Sequence, residues 1–266
     1  MTTYLYCYAS AGTYDLQHVT QLQINTLHSA ISIGEVDRVF QLGIDDIESS
    51  FKEKYKHIMS LPRGGGYWVW KYYFANRMLN EPNINDGDIL IYSDSKMLFT
   101  NAVSNLVEVM NRDKIDVMTF WKPYMTDTLM FDEKTWTKRD CFILMDADRE
   151  KYTHSMQGWG GFYIYRKSEF SRYFFNECLK YAVDYRVSTD SPNECGLPNY
   201  DSFKDHRHDQ SILSLMAKKH NFYPYRYPTM GQFKSNICPI ETFPDMIVDE
   251  RSTYPVMLDY QQHTHK

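Results

Sequence analysis

The segment Ile89-Leu90-Ile91-Tyr92-Ser93-Asp94-Ser95 reads as a hydrophobic strand that ends on an acid flanked by small polar residues. In open α/β sheets, ligands bind beyond the carboxyl ends of the strands, so Ser93 and Asp94 would face a binding crevice. A carboxylate placed there can hold a divalent cation, which works as a Lewis acid on a departing phosphate. The plainer reading is an aspartate capping the next helix, and on this segment alone the two readings balance.

A second cluster, Asp205-His206-Arg207-His208-Asp209-Gln210-Ser211, runs into the apolar Ile212-Leu213-Ser214-Leu215-Met216. Five consecutive ionisable residues at a helix start are hard to explain by packing. Asp209 is suited to general-base work on a hydroxyl, with its histidine and arginine neighbours tuning its pKa. His208, beside it, is placed on the hydroxyl-bearing partner. The competing reading makes Asp209 a helix cap among solvated side chains.

Two glycine-rich segments add surfaces for a ligand. Arg63-Gly64-Gly65-Gly66-Tyr67-Trp68-Val69-Trp70-Lys71 frees backbone N–H groups at a helix start, a natural anion site, with Arg63 and Lys71 as charges and Tyr67 and Trp70 as faces. No Gly-Lys-Ser/Thr follows, so this is not a nucleoside-triphosphate P-loop. In Gln157-Gly158-Trp159-Gly160-Gly161-Phe162, a tight turn at Gly160 and Gly161 would let a sugar lie on the backbone, with Trp159 as a stacking face. The end of the chain, His263-Thr264-His265-Lys266, offers imidazole metal ligands, although on this segment alone a frayed tail is the better reading.

The elements that position these residues alternate between strand and helix patterns. Strands are expected at Leu5–Ala9, Val36–Leu42, Ile89–Tyr92, Ile115–Phe120 and Gly161–Tyr165. Helices are expected at Asp15–Ala30, Trp68–Leu79, Ala102–Met110, Ser168–Tyr181 and Asp209–Lys219. The stretches 122–160 and 184–208 read as loop-rich. Short connections between alternating elements favour one α/β domain around a mostly parallel sheet, flanked by helices.

Composition narrows the class. The chain has 266 residues, is 43% hydrophobic, and carries a net charge of −5 with both signs interspersed, which argues against general nucleic-acid binding. Cys7, Cys141, Cys178, Cys195 and Cys238 are odd in number and lack CxxC spacing, so neither a disulfide framework nor a zinc site is expected. No window approaches the ~18 apolar residues of a membrane span, and Met1 to Tyr8 runs straight into a strand pattern without a leader. The expected location is the cytoplasm. The 22 Tyr, 15 Phe and 5 Trp supply faces for sugars and bases, but for any one of them a core role is the more frequent outcome.

Taken together, Tyr92-Ser93-Asp94-Ser95, Gly158-Trp159-Gly160-Gly161, His208-Asp209-Gln210 and His263/His265 resemble, in chain order, the landmarks of nucleotide-sugar-dependent glycosyltransferases of the GT-A fold. The wording of residues 64–71, Thr137-Lys138-Arg139-Asp140 and residues 206–211 is similar to predicted glycosyltransferases of bacterial polysaccharide clusters and large DNA viruses. A viral origin would place the protein in the host cytoplasm.

The resemblance implies a Rossmann-like GT-A domain, with residues 1–120 binding the nucleotide sugar and residues 121–266 binding the acceptor and carrying catalysis. It implies a UDP-pentose or UDP-hexose donor in a pocket begun by Tyr8, Ala9 and Ser10, and a carbohydrate acceptor near Trp159, Asp140 and His208. It further implies Mn2+ or Mg2+ on Asp94, His263 and His265, and Asp209 as the base of an inverting transfer or, in a retaining one, a residue beneath the donor's anomeric carbon. The family's metal motif is Asp-x-Asp, whereas this chain reads Asp94-Ser95-Lys96, so Lys96 would carry part of the cation's charge. Thr137 and Asp140 also form a capping-box pattern. Two other classes fit parts of the pattern: an inactive relative that only binds carbohydrate, and a sugar nucleotidyltransferase. The latter is weakened by Ser10-Ala11-Gly12-Thr13, which lacks the basic glycine-rich loop expected after a first strand.

Overall fold

Residue alternation along the first strand, β1 (Thr3–Tyr8), sets the layering of the molecule. Tyr4, Tyr6 and Tyr8 belong to the core on one face of the sheet, and Leu5 and Cys7 to the core on the other, as a period of two requires. The computed structural model describes residues 1–10, 15–121, 132–229 and 250–261. Cys238, His263, His265, Gly12 and Thr13 lie outside them, as do residues 122–131 of the first loop-rich stretch.

The remaining strands among the described residues are β2 (Arg38–Leu42), β3 (Ile89–Ser93), β4 (Met97–Phe99), β5 (Val117–Trp121), β6 (Gly158–Arg166), β7 (Tyr225–Arg226) and β8 (Leu258–Tyr260). Six of them form one sheet in the order β2-β1-β3-β6-β5-β7, while β4 and β8 pair separately. Only β6 runs against its neighbours, so five of the six strands share a direction. The sheet draws strands from both halves of the chain.

Five longer helices flank it: α1 (Leu16–Ser32), α2 (Trp70–Asn80), α3 (Ser104–Asp113), α4 (Glu169–Ala182) and α5 (His208–Lys219). Helices α2, α4 and α5 cover the tyrosine face, and α1 and α3 the aliphatic face. The expected Asp15 cap forms, its carboxylate accepting the His18 N–H at 3.0 Å, and Ser168 caps α4 through the Ser171 N–H at 3.1 Å. Most of the aromatic richness goes into the core. Tyr92 stacks on Tyr163 at 4.9 Å, and the buried Tyr165 hydroxyl donates to Tyr6 at 3.1 Å. Cys7, Cys141, Cys178 and Cys195 are free thiols. Among the described residues, no helix is long and apolar enough to cross a membrane.

One expected turn is part of a strand. Gly158-Trp159-Gly160-Gly161 belongs to β6, which is longer than its sequence pattern implies. Val117 and Met118 of β5 face Tyr165 and Ile164, but Phe120 and Trp121 face Trp159 and Gly158, so Gly160 and Gly161 fall in a bulge. Glycine reads as a turn in sequence, yet a bulged strand tolerates it where another backbone approaches closely.

Candidate functional site

Beyond the carboxyl ends of β1 and β3 opens a cavity of about 560 Å³, walled by the β6 bulge and the entrance of α5. Gly160 makes that approach possible. A Cβ there would lie 2.9 Å from Gln210 Cβ, 3.0 Å from Gln210 Cα and 3.2 Å from Asp209 Oδ2. The Gly160 N–H donates to Gln210 Oε1 at 3.1 Å, and the Gly161 carbonyl accepts the Asp94 N–H at 2.9 Å. One bulge therefore fixes the backbone around both acids singled out in the sequence.

Lys71 lies between them. Its ammonium is buried, 2.8 Å from Asp209 Oδ2 and 3.3 Å from Asp94 Oδ1, and donates to the Gly160 carbonyl at 3.0 Å. The Tyr92 ring faces it at 5.0 Å, and the Tyr92 hydroxyl donates to Asp94 Oδ1 at 2.6 Å. Burial pushes the Asp209 carboxyl up to about 6, against the pull of Lys71 in the other direction. Asp209 is thus a carboxylate above that pH and a stronger base than an exposed aspartate. It sits in the first turn of α5 rather than at the cap, which is Arg207.

The turn before α2 is unusual. All five residues from Gly64 to Trp68 have positive φ, including Tyr67 at 52° and Trp68 at 59°. Bulky residues adopt this region at a cost, and such strain persists where the surroundings enforce it. Its N–H groups are not free for an anion: those of Gly65, Gly66, Tyr67 and Trp68 bond to the carbonyls of Pro62, Leu61, Arg63 and Gly64. The backbone anion cradle expected here is therefore replaced by side chains. The turn places Trp68 in the cavity wall, stacked on the His208 ring at 5.2 Å, and packs Trp70 on Tyr8 at 4.0 Å.

His208 is buried with its Nδ1 2.9 Å from the Ser188 carbonyl. A carbonyl only accepts, so in the neutral ring this partner assigns the proton to Nδ1 and leaves Nε2 as an acceptor. Burial holds the ring's pKa down at about 4, which keeps it neutral at physiological pH. Nε2 is buried without a hydrogen-bond partner, 3.8 Å from Asp190 Oδ1. A ligand hydroxyl would satisfy it. Asp190 is in turn tied to Arg63 at 2.8 Å and to the Tyr67 hydroxyl at 2.9 Å.

Four cationic side chains, Arg63, Lys71, Lys96 and Arg207, line the cavity against two carboxylates, Asp94 and Asp209. Arg63 and Arg207 are paired with Asp190 and Asp205 beside the cavity and Lys71 with Asp94 and Asp209, so Lys96 is the lining cation that no carboxylate among the described residues pairs, a place for an anion. Tyr8, Ser10, Trp70, Trp159, Gly160, Gly161 and His208 line it as well, so most of the residues expected from sequence meet in one place.

Four do not. Ala9 is buried beside β2, with its N–H on the Leu42 carbonyl, and Ser93 is fully buried within β3. The Tyr67 side chain lines a neighbouring depression with Asp190 and Tyr185. Asp140 is buried away from the cavity, where it accepts the Glu194 and Cys195 N–H groups at 2.8 Å each. An acceptor-binding role for Asp140 is replaced by that of a loop anchor.

The capping box of Thr137 and Asp140 does not form either. The Thr137 hydroxyl instead contacts Glu133 and Ser211, each at 2.8 Å. Lys138 completes the anchor by donating to the Ser191 carbonyl at 2.6 Å. The Thr137–Asp140 segment thereby holds the loop that carries Asp190.

Trp68, Tyr92, Arg207 and Gln210 are cavity residues that the sequence reading did not assign. All four lie in segments that stand out in the sequence, Tyr92 two residues before Asp94 and Arg207 and Gln210 within two residues of Asp209.

A divalent cation fits poorly among the described residues. Asp94 is the one expected ligand present, and its Oδ1 already holds Lys71 and Tyr92. Among the described residues, no three His, Cys, Asp or Glu side chains converge to hold a metal.

No protein-family model and no curated protein matches the chain. Among solved structures, it is similar to the crystal structure of mouse xyloside xylosyltransferase 1 in its apo form. The TM-score is 0.45, the sequence identity is 9%, and 85% of each chain is covered.

Proposed function

We propose that the chain is a glycosyltransferase that moves a sugar from a nucleotide-sugar donor, a UDP-pentose or UDP-hexose, onto a hydroxyl of a carbohydrate acceptor. The observation that carries this reading is a buried carboxylate, Asp209, raised to about 6 in a cavity also lined by Lys96, which no carboxylate among the described residues pairs. A binding protein has no need of a poised base, and a diphosphate donor needs the charge. Among the described residues, the segments that resemble landmarks of GT-A glycosyltransferases border the same cavity.

In the reaction, Asp209 accepts the proton of the acceptor hydroxyl as its oxygen bonds to the anomeric carbon. The bond from that carbon to the diphosphate breaks, and its electron pair leaves with the phosphate oxygen. The products are a glycosidic bond, a nucleoside diphosphate and a protonated Asp209. Displacement on one face inverts the anomeric configuration. The His208 Nε2 lone pair accepts a second hydroxyl of the acceptor and so orients the sugar.

The test has two parts. UDP-sugars should raise the melting temperature, since ligand at a hundredfold excess over Kd stabilises by about 2.7 kcal/mol. The glycoside product, read by NMR, should have the anomeric configuration opposite to that of the donor. Retention would move Asp209 from base to a position beneath the anomeric carbon, and an unaltered melting temperature with every sugar nucleotide would remove the donor reading.

A further inference from the structure

We propose that the positive charge facing the donor diphosphate comes from the chain's own cations, Lys96 foremost, and that donor binding requires no divalent ion. The inference rests on the donor reading above and deepens it.

Lys96 stands where the glycosyltransferase motif has its second acid, directly after the β3 end that presents Asp94. A metal between these two positions would face an ammonium in place of a carboxylate. The remaining acid, Asp94, holds Lys71 and the Tyr92 hydroxyl, so Lys71 already fills the role of counter-ion to it.

The other cavity cations are similarly committed. Arg63 is paired with Asp190 at 2.8 Å and Asp205 at 3.1 Å. Arg207 lies over the Trp136 ring at 4.4 Å, with Asp205 at 3.8 Å. Lys96 differs. Its ammonium is 5.5 Å from the centre of the Tyr260 ring, and no carboxylate among the described residues pairs with it. Its backbone is fixed, because the Lys96 carbonyl accepts the Gln261 N–H at 2.9 Å and the adjacent Ser95 carbonyl accepts the Thr26 hydroxyl at 2.9 Å. A pinned backbone with an uncommitted ammonium at a cavity wall suits a phosphate, for which lysine acts as a point charge.

The experiment titrates uridine diphosphate and guanosine diphosphate separately into the full chain by calorimetry, once with excess EDTA and once with manganese. At least one nucleotide should bind with a Kd that differs by less than about threefold between the two conditions, under half of the 1.4 kcal/mol that a tenfold change represents. Lys96→Met should weaken that binding about tenfold or more, the loss expected for one charged hydrogen bond, and Lys96→Arg should recover most of it. The melting temperature of both variants should stay at the wild-type value.

Binding seen only with manganese would overturn the inference and leave the transferase reading standing. Unchanged binding by Lys96→Met would overturn the role of Lys96. Absence of binding by either nucleotide in both conditions would remove the donor reading, and this inference with it.

Discussion

The Lys71 ammonium and the Asp209 carboxylate meet at 2.8 Å inside the protein, one from the start of α2 and the other from the start of α5. The contact joins the glycine-rich segment 63–71 to the ionisable cluster 205–211. It also explains how an acid can be buried and still ionise: Lys71 offsets part of the desolvation that raises its pKa. The outcome is a carboxylate that is basic and fixed in place.

The first consequence is a pH profile. An acid whose folded value, about 6, lies above its ordinary 3.8 binds its proton more tightly in the folded protein. Its contribution to stability is therefore full below 3.8 and lost as pH rises through about 6. Activity runs the other way, because the base must be unprotonated. We predict that kcat/KM for transfer falls tenfold per pH unit below about 6, and a flat profile down to pH 4.5, about the value of an exposed carboxylate, would contradict the assignment.

Lys71→Met tests the pairing itself. Removing the ammonium leaves Asp94 and Asp209 without their shared counter-ion, and breaking a buried pair on one side costs about 3–5 kcal/mol. Urea unfolding should show a loss of that order. The double variant Lys71→Met/Asp209→Asn should regain part of it, because the more buried of the two carboxylates is then replaced by a neutral amide. Two single variants whose losses simply add would show that the contact carries no energy.

His208→Phe tests the acceptor contact. The ring stack on Trp68 is kept and only the nitrogens are lost. A hydrogen bond of about 1–1.5 kcal/mol predicts a rise of about tenfold in acceptor KM, with donor KM close to that of the wild type. An effect confined to donor KM would place His208 on the wrong substrate.

Much of this site was legible because its parts lie at element boundaries. A strand of Ile, Leu and Tyr ending on Asp94, and five ionisable residues opening an apolar helix, are local patterns that the fold preserves. Lys71 was visible only as a charge after three glycines, because its partners come from β3 and α5 and no local pattern encodes that meeting. The left-handed run through Tyr67 and Trp68 was hidden as well, since bulky residues give no signal for a region they seldom adopt. Gly160 misled, reading as a turn where a bulge admits Gln210. Asp140 misled for a related reason: its partners, the N–H groups of Glu194 and Cys195, are more than fifty residues away.

The central claim is that Asp209 is the base of a transfer from a sugar nucleotide. Its most direct test is the release of nucleoside diphosphate from UDP-sugars at neutral pH by the wild type and by Asp209→Asn. The variant keeps a hydrogen-bonding side chain of the same size, and Lys71 retains Asp94 and the Gly160 carbonyl. We predict that it folds and binds the donor with an affinity close to wild type, while acceptor-dependent release falls about 10²–10⁴-fold, the range of a lost general base. Release by a folded Asp209→Asn variant at the wild-type rate would contradict the account.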